Sequence, residues 1–195
     1  QRQMCIRDRY GSLMYGYFNG EESAERMLGS GYESPIYTCI IRWGDDPAVV
    51  GEEYATIYGS YHCMTTPLMT HVLTNASSSY PELYASPSCQ AVSSMLNTYY
   101  KNFLWSGNPN GGELPQWDAW TSLDGTTQLI VDANDDGAWA EMSTDHISYA
   151  EIIERMEADH SIPDDQKTEM IRTVLNGRWF SGEMDAYYGN EDLWA

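Results

Sequence analysis

Chemistry needs a titratable or nucleophilic side chain on a segment that the fold holds still, and the sequence offers one such candidate, His62 in Tyr58-Gly59-Ser60-Tyr61-His62. Upstream lies an apolar, β-branched run, Ile36-Tyr37-Thr38-Cys39-Ile40-Ile41, bounded by Pro35 and by the turn residues Gly44-Asp45-Asp46-Pro47. The run predicts a buried strand, and the break after it puts His62 on a connection beyond the strand's end. A histidine so placed serves either as a catalytic base or as a hydrogen-bonded packing residue among aromatics. Glu52-Glu53 either line the mouth of such a site or are simply solvated. His71, His146 and His160 have no matching ligand spacing and are expected to be structural or exposed. Asp132-Ala133-Asn134-Asp135-Asp136-Gly137 copies the first half of a calcium loop, but Ser143 stands where the bidentate glutamate belongs. A solvated acidic turn is the expectation there.

A nucleophile is harder to find. No GxSxG occurs: Gly11-Ser12, Gly29-Ser30 and Gly59-Ser60 each lack the second glycine and a strand-turn-helix context, and no HGGG-type oxyanion loop is present. The cysteines Cys5, Cys39, Cys63 and Cys89 lie far apart without a CxxC pair, which excludes zinc spacing and gives no support to a disulfide framework.

The elements that must position His62 are legible in part. Tyr10 to Phe18 predicts either a weak helix or a segment that packs against parts outside this chain, followed by a short helix that Asn19 caps and Gly29 to Gly31 end. Val49, Val50, Tyr54 and Ile57 are spaced to share one helical face. Ser86-Pro87-Ser88 opens the clearest helix, with Val92, Met95, Leu96, Tyr99, Tyr100, Phe103 and Leu104 as its stripe and Gly107 as its cap. A hairpin is predicted from Trp120 to Val131 around Asp124-Gly125. Ser148-Tyr149-Ala150-Glu151 is a capping box opening a helix through Ile152, Ile153 and Met156, and Pro163 begins another that carries Met170, Ile171, Val174 and Leu175. Trp179, Phe180, Tyr187, Tyr188 and Trp194 make an aromatic tail that either docks or frays.

The stretch Ile36 to Trp43, the Gly59-Ser60-Tyr61-His62 loop and Tyr100-Lys101-Asn102-Phe103-Leu104-Trp105-Ser106-Gly107-Asn108-Pro109-Asn110 follow one another in an order that resembles the C-terminal third of type B carboxylesterases. Those are the cholinesterase-like α/β-hydrolases. The resemblance implies an α/β fold class: the C-terminal part of an α/β-hydrolase fold, with few strands, several helices and an incomplete sheet. It implies that His62 is the triad histidine of a serine carboxylic-ester hydrolase working through an acyl-serine intermediate. Nucleophile, triad acid and oxyanion hole would lie upstream, so this polypeptide alone is expected to be inactive. A small carboxylic ester is the implied substrate of the intact enzyme, with no metal or organic cofactor. Cys63 stands where the family has glycine after the histidine, and Thr65 where it has an acidic residue. Those departures leave a second expectation open, a catalytically inactive cholinesterase-like binding module. A third is an independent acidic α+β domain. The family-like part spans 10–135, and 136–195 is expected to be a helical extension. Residues 1–9, QRQMCIRDR, resemble a translated sequencing adaptor and are expected to pack against nothing.

Composition narrows the class. The 195 residues carry 29 acidic and 10 basic side chains, a net charge of −19. Such a surface repels phosphate backbones and anionic lipid, which disfavours nucleic-acid and membrane-surface roles. With 42% hydrophobic and 13% aromatic residues, global disorder is not expected. No apolar run is long enough to cross a membrane.

Overall fold

The computed structural model describes residues 10–61, 63–73, 80–122, 125, 128–161, 163–170 and 186. In chain order the elements are α1 (Ser12–Gly16), a π-helical stretch (Tyr17–Glu22), α2 (Ser23–Gly29), β1 (Cys39–Ile41), α3 (Pro47–Val50), α4 (Glu52–Ile57), α5 (Thr65–Thr70), α6 (Pro81–Tyr84), α7 (Pro87–Ser106), β2 (Gln128–Asn134), β3 (Gly137–Ser143), α8 (Tyr149–Ala158) and α9 (Asp164–Met170). The architecture is mixed α/β. Two compact units make it up, 35–144 and a second formed by both ends of the chain, 1–34 with 145–195.

In the unit 35–144 a three-stranded sheet runs in the order β1-β2-β3. β1 pairs parallel to β2, with Ile40 opposite Ile130, and β2 pairs antiparallel to β3, with Val131 opposite Ala140. Parallel neighbours need a crossover, and α3 to α7 supply it. α7 begins where Ser86 accepts a hydrogen bond from the Cys89 N–H at 3.3 Å, and it ends at Gly107, whose φ of 72° suits a residue without Cβ. Val92, Leu96 and Tyr99 are buried, packed in one core with Leu129, Val131 and Ala133 of β2 and with Trp43, Leu68 and Tyr84. The small Ala138 and Ala140 of β3 pack on the same core.

Several expectations are corrected here. The regular strand is confined to Cys39–Ile41 and is only half-buried; Thr38 O accepts from the Leu129 N–H at 2.9 Å where the pairing begins, whereas Ile36 O accepts from the Trp120 N–H at 2.8 Å and is not paired with β2. The described hairpin is formed by β2 and β3 and turns at Asp135-Asp136, and its second strand lies inside the stretch expected to be helical; the turn predicted at Asp124-Gly125 lies in part outside the described residues. Leu129, Val131 and Ala133 of β2 belong to the core of this unit, and Ile130 between them is buried as well. Val49 to Tyr58 is two short helices broken at Gly51, φ 85°; Val50 and Tyr54 are buried while Ile57 is exposed. Along α7 the stripe leaves the core early, so Tyr100, Phe103 and Leu104 are exposed.

The other described unit is helical. Asn19 caps nothing, since it lies within the π-helical stretch that joins α1 to α2 without a break. Tyr10, Met14, Tyr149, Ile152 and Met156 form its small core. α8 starts with the predicted capping box: the Glu151 N–H donates to Ser148 Oγ at 3.3 Å and the Ser148 N–H to Glu151 Oε2 at 3.0 Å. Two readings lie outside the described residues, the adaptor-like 1–9 and the aromatic tail from Trp179 onward; so do Ile171, Val174 and Leu175.

Candidate functional site

After β1 the Arg42 N–H donates to Val131 O at 2.9 Å, extending the parallel ladder by one residue before the chain turns away. Asp46 then caps α3, accepting from the Ala48 N–H at 2.8 Å, with Pro47 in the first helical position. After α4 the chain returns to the strand end and crosses it at very close range. A Cβ on Gly44, φ 118°, would lie 2.5 Å from Gly59 O, so the crossing requires glycine. Ser60 ties the return down: its Oγ donates to Ile41 O at 2.8 Å, with Trp43 O at 3.3 Å, and its N–H donates to Asp45 Oδ1 at 2.7 Å. One residue on, the Tyr61 and Tyr84 hydroxyls are 2.7 Å apart. The loop before position 62 is thus fixed beyond the carboxyl end of a parallel strand, the place where open α/β sheets bind ligands.

His62 itself lies outside the described residues. Its described neighbours carry information nonetheless. Cys63 is exposed and has φ 72°, a conformation that favours glycine. Thr65 is exposed at the first position of α5.

Ser60 is no nucleophile, because its proton is spent on backbone carbonyls. Ser30 is likewise bonded to Arg26 O at 2.7 Å. Burial pushes the thiols of Cys39 and Cys89 up, to about 11 and about 12, so neither is a thiolate at neutral pH. Asp132 follows the last residue of the β1–β2 pairing; burial raises its carboxyl above the ordinary range, against the lowering effect of the Ala133 N–H, and Asp45 and Asp46 push it the same way as burial.

Five tyrosines, Tyr54, Tyr58, Tyr61, Tyr80 and Tyr84, pack beside the loop. Tyr58 stacks on Tyr54 at 5.5 Å between ring centroids, meets the edge of Tyr80 at 5.3 Å and tilts against Tyr61 at 5.9 Å. Tyr80 donates to Glu53 Oε1 at 3.2 Å, so Glu53 has a partner on the cluster. Burial, with the bond to Tyr54, pushes the Tyr84 hydroxyl up to about 12.

The remaining candidates fall into place as structural groups. Ser93 Oγ lies 2.7 Å from Leu68 O and 2.8 Å from His71 Nδ1. A hydroxyl has one proton, and the carbonyl can only accept, so His71 donates through Nδ1. His146 is exposed, and His160 lies 4.0 Å from the equally exposed Asp164. In the calcium-like stretch Asp132 accepts from the Ala133 N–H at 2.7 Å and Asn134 from the Asp136 N–H at 2.9 Å, so both side chains are committed to the hairpin. Among the described residues, no three His, Cys, Asp or Glu side chains are grouped to hold a metal ion. No described helix is long and apolar enough to cross a membrane.

Sequence reasoning missed the Asp45–Ser60 tie and the tyrosine cluster. Glycine on both sides of the crossing, Gly44-Asp45 and Gly59-Ser60, was the available signal. Compared with protein-family models, curated proteins and solved structures, the chain matches none.

Proposed function

We propose that the chain is the C-terminal portion of a serine carboxylic-ester hydrolase in which His62 is the proton-transferring histidine. The observation that carries this is the tie of Ser60 to Ile41 O and Asp45, which brings the residues next to His62 to the carboxyl end of β1. In that reaction the imidazole takes the proton of a serine hydroxyl as it attacks the ester carbonyl, then returns it to the departing alcohol; water deacylates the serine by the same route. Serine, triad acid and oxyanion donors come from sequence preceding this stretch. Cys63 with φ 72° supports the reading, since the backbone keeps a glycine-like conformation where the family pattern has glycine.

The test is the reading frame extended upstream. It is expected to contain GxSxG and to hydrolyse p-nitrophenyl acetate, and His62→Gln is expected to lower kcat at least about a thousandfold with KM little changed. An extended frame with GxSxG whose activity survives His62→Gln overturns the assignment. A specific observation favours a second reading: Cys63 and Thr65 replace the family's residues on both sides of Met64. A binding module without catalysis follows if the extended frame carries another residue in place of the serine.

A further inference from the structure

α7 runs on past the core it packs against. Over its last two turns Tyr100, Phe103, Leu104 and Trp105 are 40%, 41%, 65% and 92% exposed. At about 3.6 residues per turn, Phe103, Tyr100, Leu104, Lys101 and Trp105 follow one another around the helix, so the apolar side chains form one surface with a single charge in it. Phe103 meets the edge of the Tyr37 ring at 6.0 Å and joins that surface to the body of the unit.

The end of the helix is held still. The Gly107 N–H donates to Phe103 O at 2.8 Å, Asn102 Nδ2 donates to Pro109 O at 3.0 Å, and Asn110 bonds both backbone groups of Trp117, at 2.7 and 2.8 Å. A surface ordered in advance loses little entropy when it is covered.

The charge distribution points to what covers it. Between Glu82 and Glu113 there is no Asp or Glu, although the chain has 29 of them, and Lys101 is the one charged side chain on α7. Two copies, each of net charge −19, repel one another wherever both present acids and least where neither does. A basic partner would be drawn to the acid-bearing segments instead, and anionic lipid is repelled by the whole chain. The exposed fractions amount to roughly 500 Å² of apolar surface on one copy, and a symmetric pair would bury about twice that, the lower bound for a specific interface.

We propose that this end of α7 is a self-association face, on which two copies of the chain pair about a two-fold axis with Trp105 of each covering Tyr100 and Leu104 of the other. A contact of this symmetry closes on itself, so the product is a dimer and no larger assembly. Its small area makes the dimer weak and reversible. None of this rests on the ester-hydrolase reading.

Sedimentation velocity on this chain, from about 1 to about 500 μM, tests the proposal. A monomer–dimer equilibrium is expected with a dissociation constant of about 10–100 μM, tightening as added salt screens the acids. Trp105→Glu sets a carboxylate into the acid-free face and should weaken dimerisation at least about tenfold, whereas Trp105→Phe should keep it within about threefold. Ile57→Glu, at a comparably exposed apolar residue of α4, should leave it unchanged. Circular dichroism confirms that each variant is folded. A chain that stays monomeric throughout, a dimer indifferent to Trp105→Glu, an equal loss in Ile57→Glu, or assemblies larger than two would each overturn the proposal. So would binding of the monomer to phosphatidylcholine vesicles through Trp105, or dimerisation that disappears when the reading frame is extended upstream.

Discussion

The two compact units are held together by different physics. In 35–144, Trp43, Leu68, Leu96 and Val131 are fully or almost fully buried around a sheet whose strands come from distant parts of the chain. The described helices of the other unit bury far fewer apolar side chains and join their ends through charged hydrogen bonds. There Tyr149 donates to Glu22 Oε2 at 2.7 Å, Arg26 Nε donates to Glu22 Oε1 at 2.7 Å, and Tyr10 donates to Asp159 Oδ2 at 2.7 Å. The contrast teaches that the first unit answers to volume and the second to hydrogen bonding. Changes of shape should damage one, and isosteric loss of a hydroxyl the other.

Removing a large buried ring is the strongest way to break the comparison. Trp43→Ala leaves a cavity against Tyr54 and Tyr84 and is expected to destabilise 35–144 by about 4 kcal/mol in urea titration followed by near-UV circular dichroism. A loss below about 1 kcal/mol would mean that this core is not what holds the unit. Gly44→Ala probes the crossing at the loop. With a Cβ placed 2.5 Å from Gly59 O, it should cost at least about 2 kcal/mol and raise hydrogen exchange at the Ser60 amide, and unchanged exchange there would refute the crossing.

In the helical unit Tyr149→Phe keeps the ring and deletes the bond to buried Glu22. The expected loss is about 2 kcal/mol, and a neutral result by thermal melting would show that this hydroxyl contributes nothing. Cys63→Gly should move the other way, stabilising by about 1 kcal/mol as the left-handed conformation loses its Cβ penalty. Destabilisation would place a needed side-chain contact at that thiol.

The smallest effect concerns pH. Asp132 has its folded pKa raised, chiefly by burial, so the native state holds its proton more tightly than the unfolded chain does and stability falls as pH rises through the folded value. Asp132→Asn should therefore stabilise modestly at pH 7, with the gain vanishing below the ordinary carboxylate range. The carboxylate is still partly reached by water, which keeps the gain small. A benefit that grows on acidification would reverse the sign and exclude burial as the cause.

The candidate loop was legible as a connection beyond the end of an apolar strand, and no further. That it returns to the strand end and is anchored there by Ser60 came from the structure. Its partners were not legible, because Asp45 and Ser60 are brought together only by the intervening helices, as are Tyr61 and Tyr84. The hairpin shows the same limit. Turn chemistry pointed to Asp124-Gly125, which lies in part outside the described residues, whereas the described pairing is centred on Asp135-Asp136, with Leu129, Val131 and Ala133 of β2 in the core.

By itself the sequence determined what neighbours along the chain can settle. Ser86 and Gly107 delimit α7, and Ser148 with Glu151 starts α8, because caps are bonds between residues a few positions apart. Tertiary structure alone decided the parallel pairing of β1 with β2, the joining of both chain ends into one unit, and the point at which the α7 stripe leaves the core. Each depends on apolar surface meeting across long stretches of sequence, where local propensity has no vote and the area buried does.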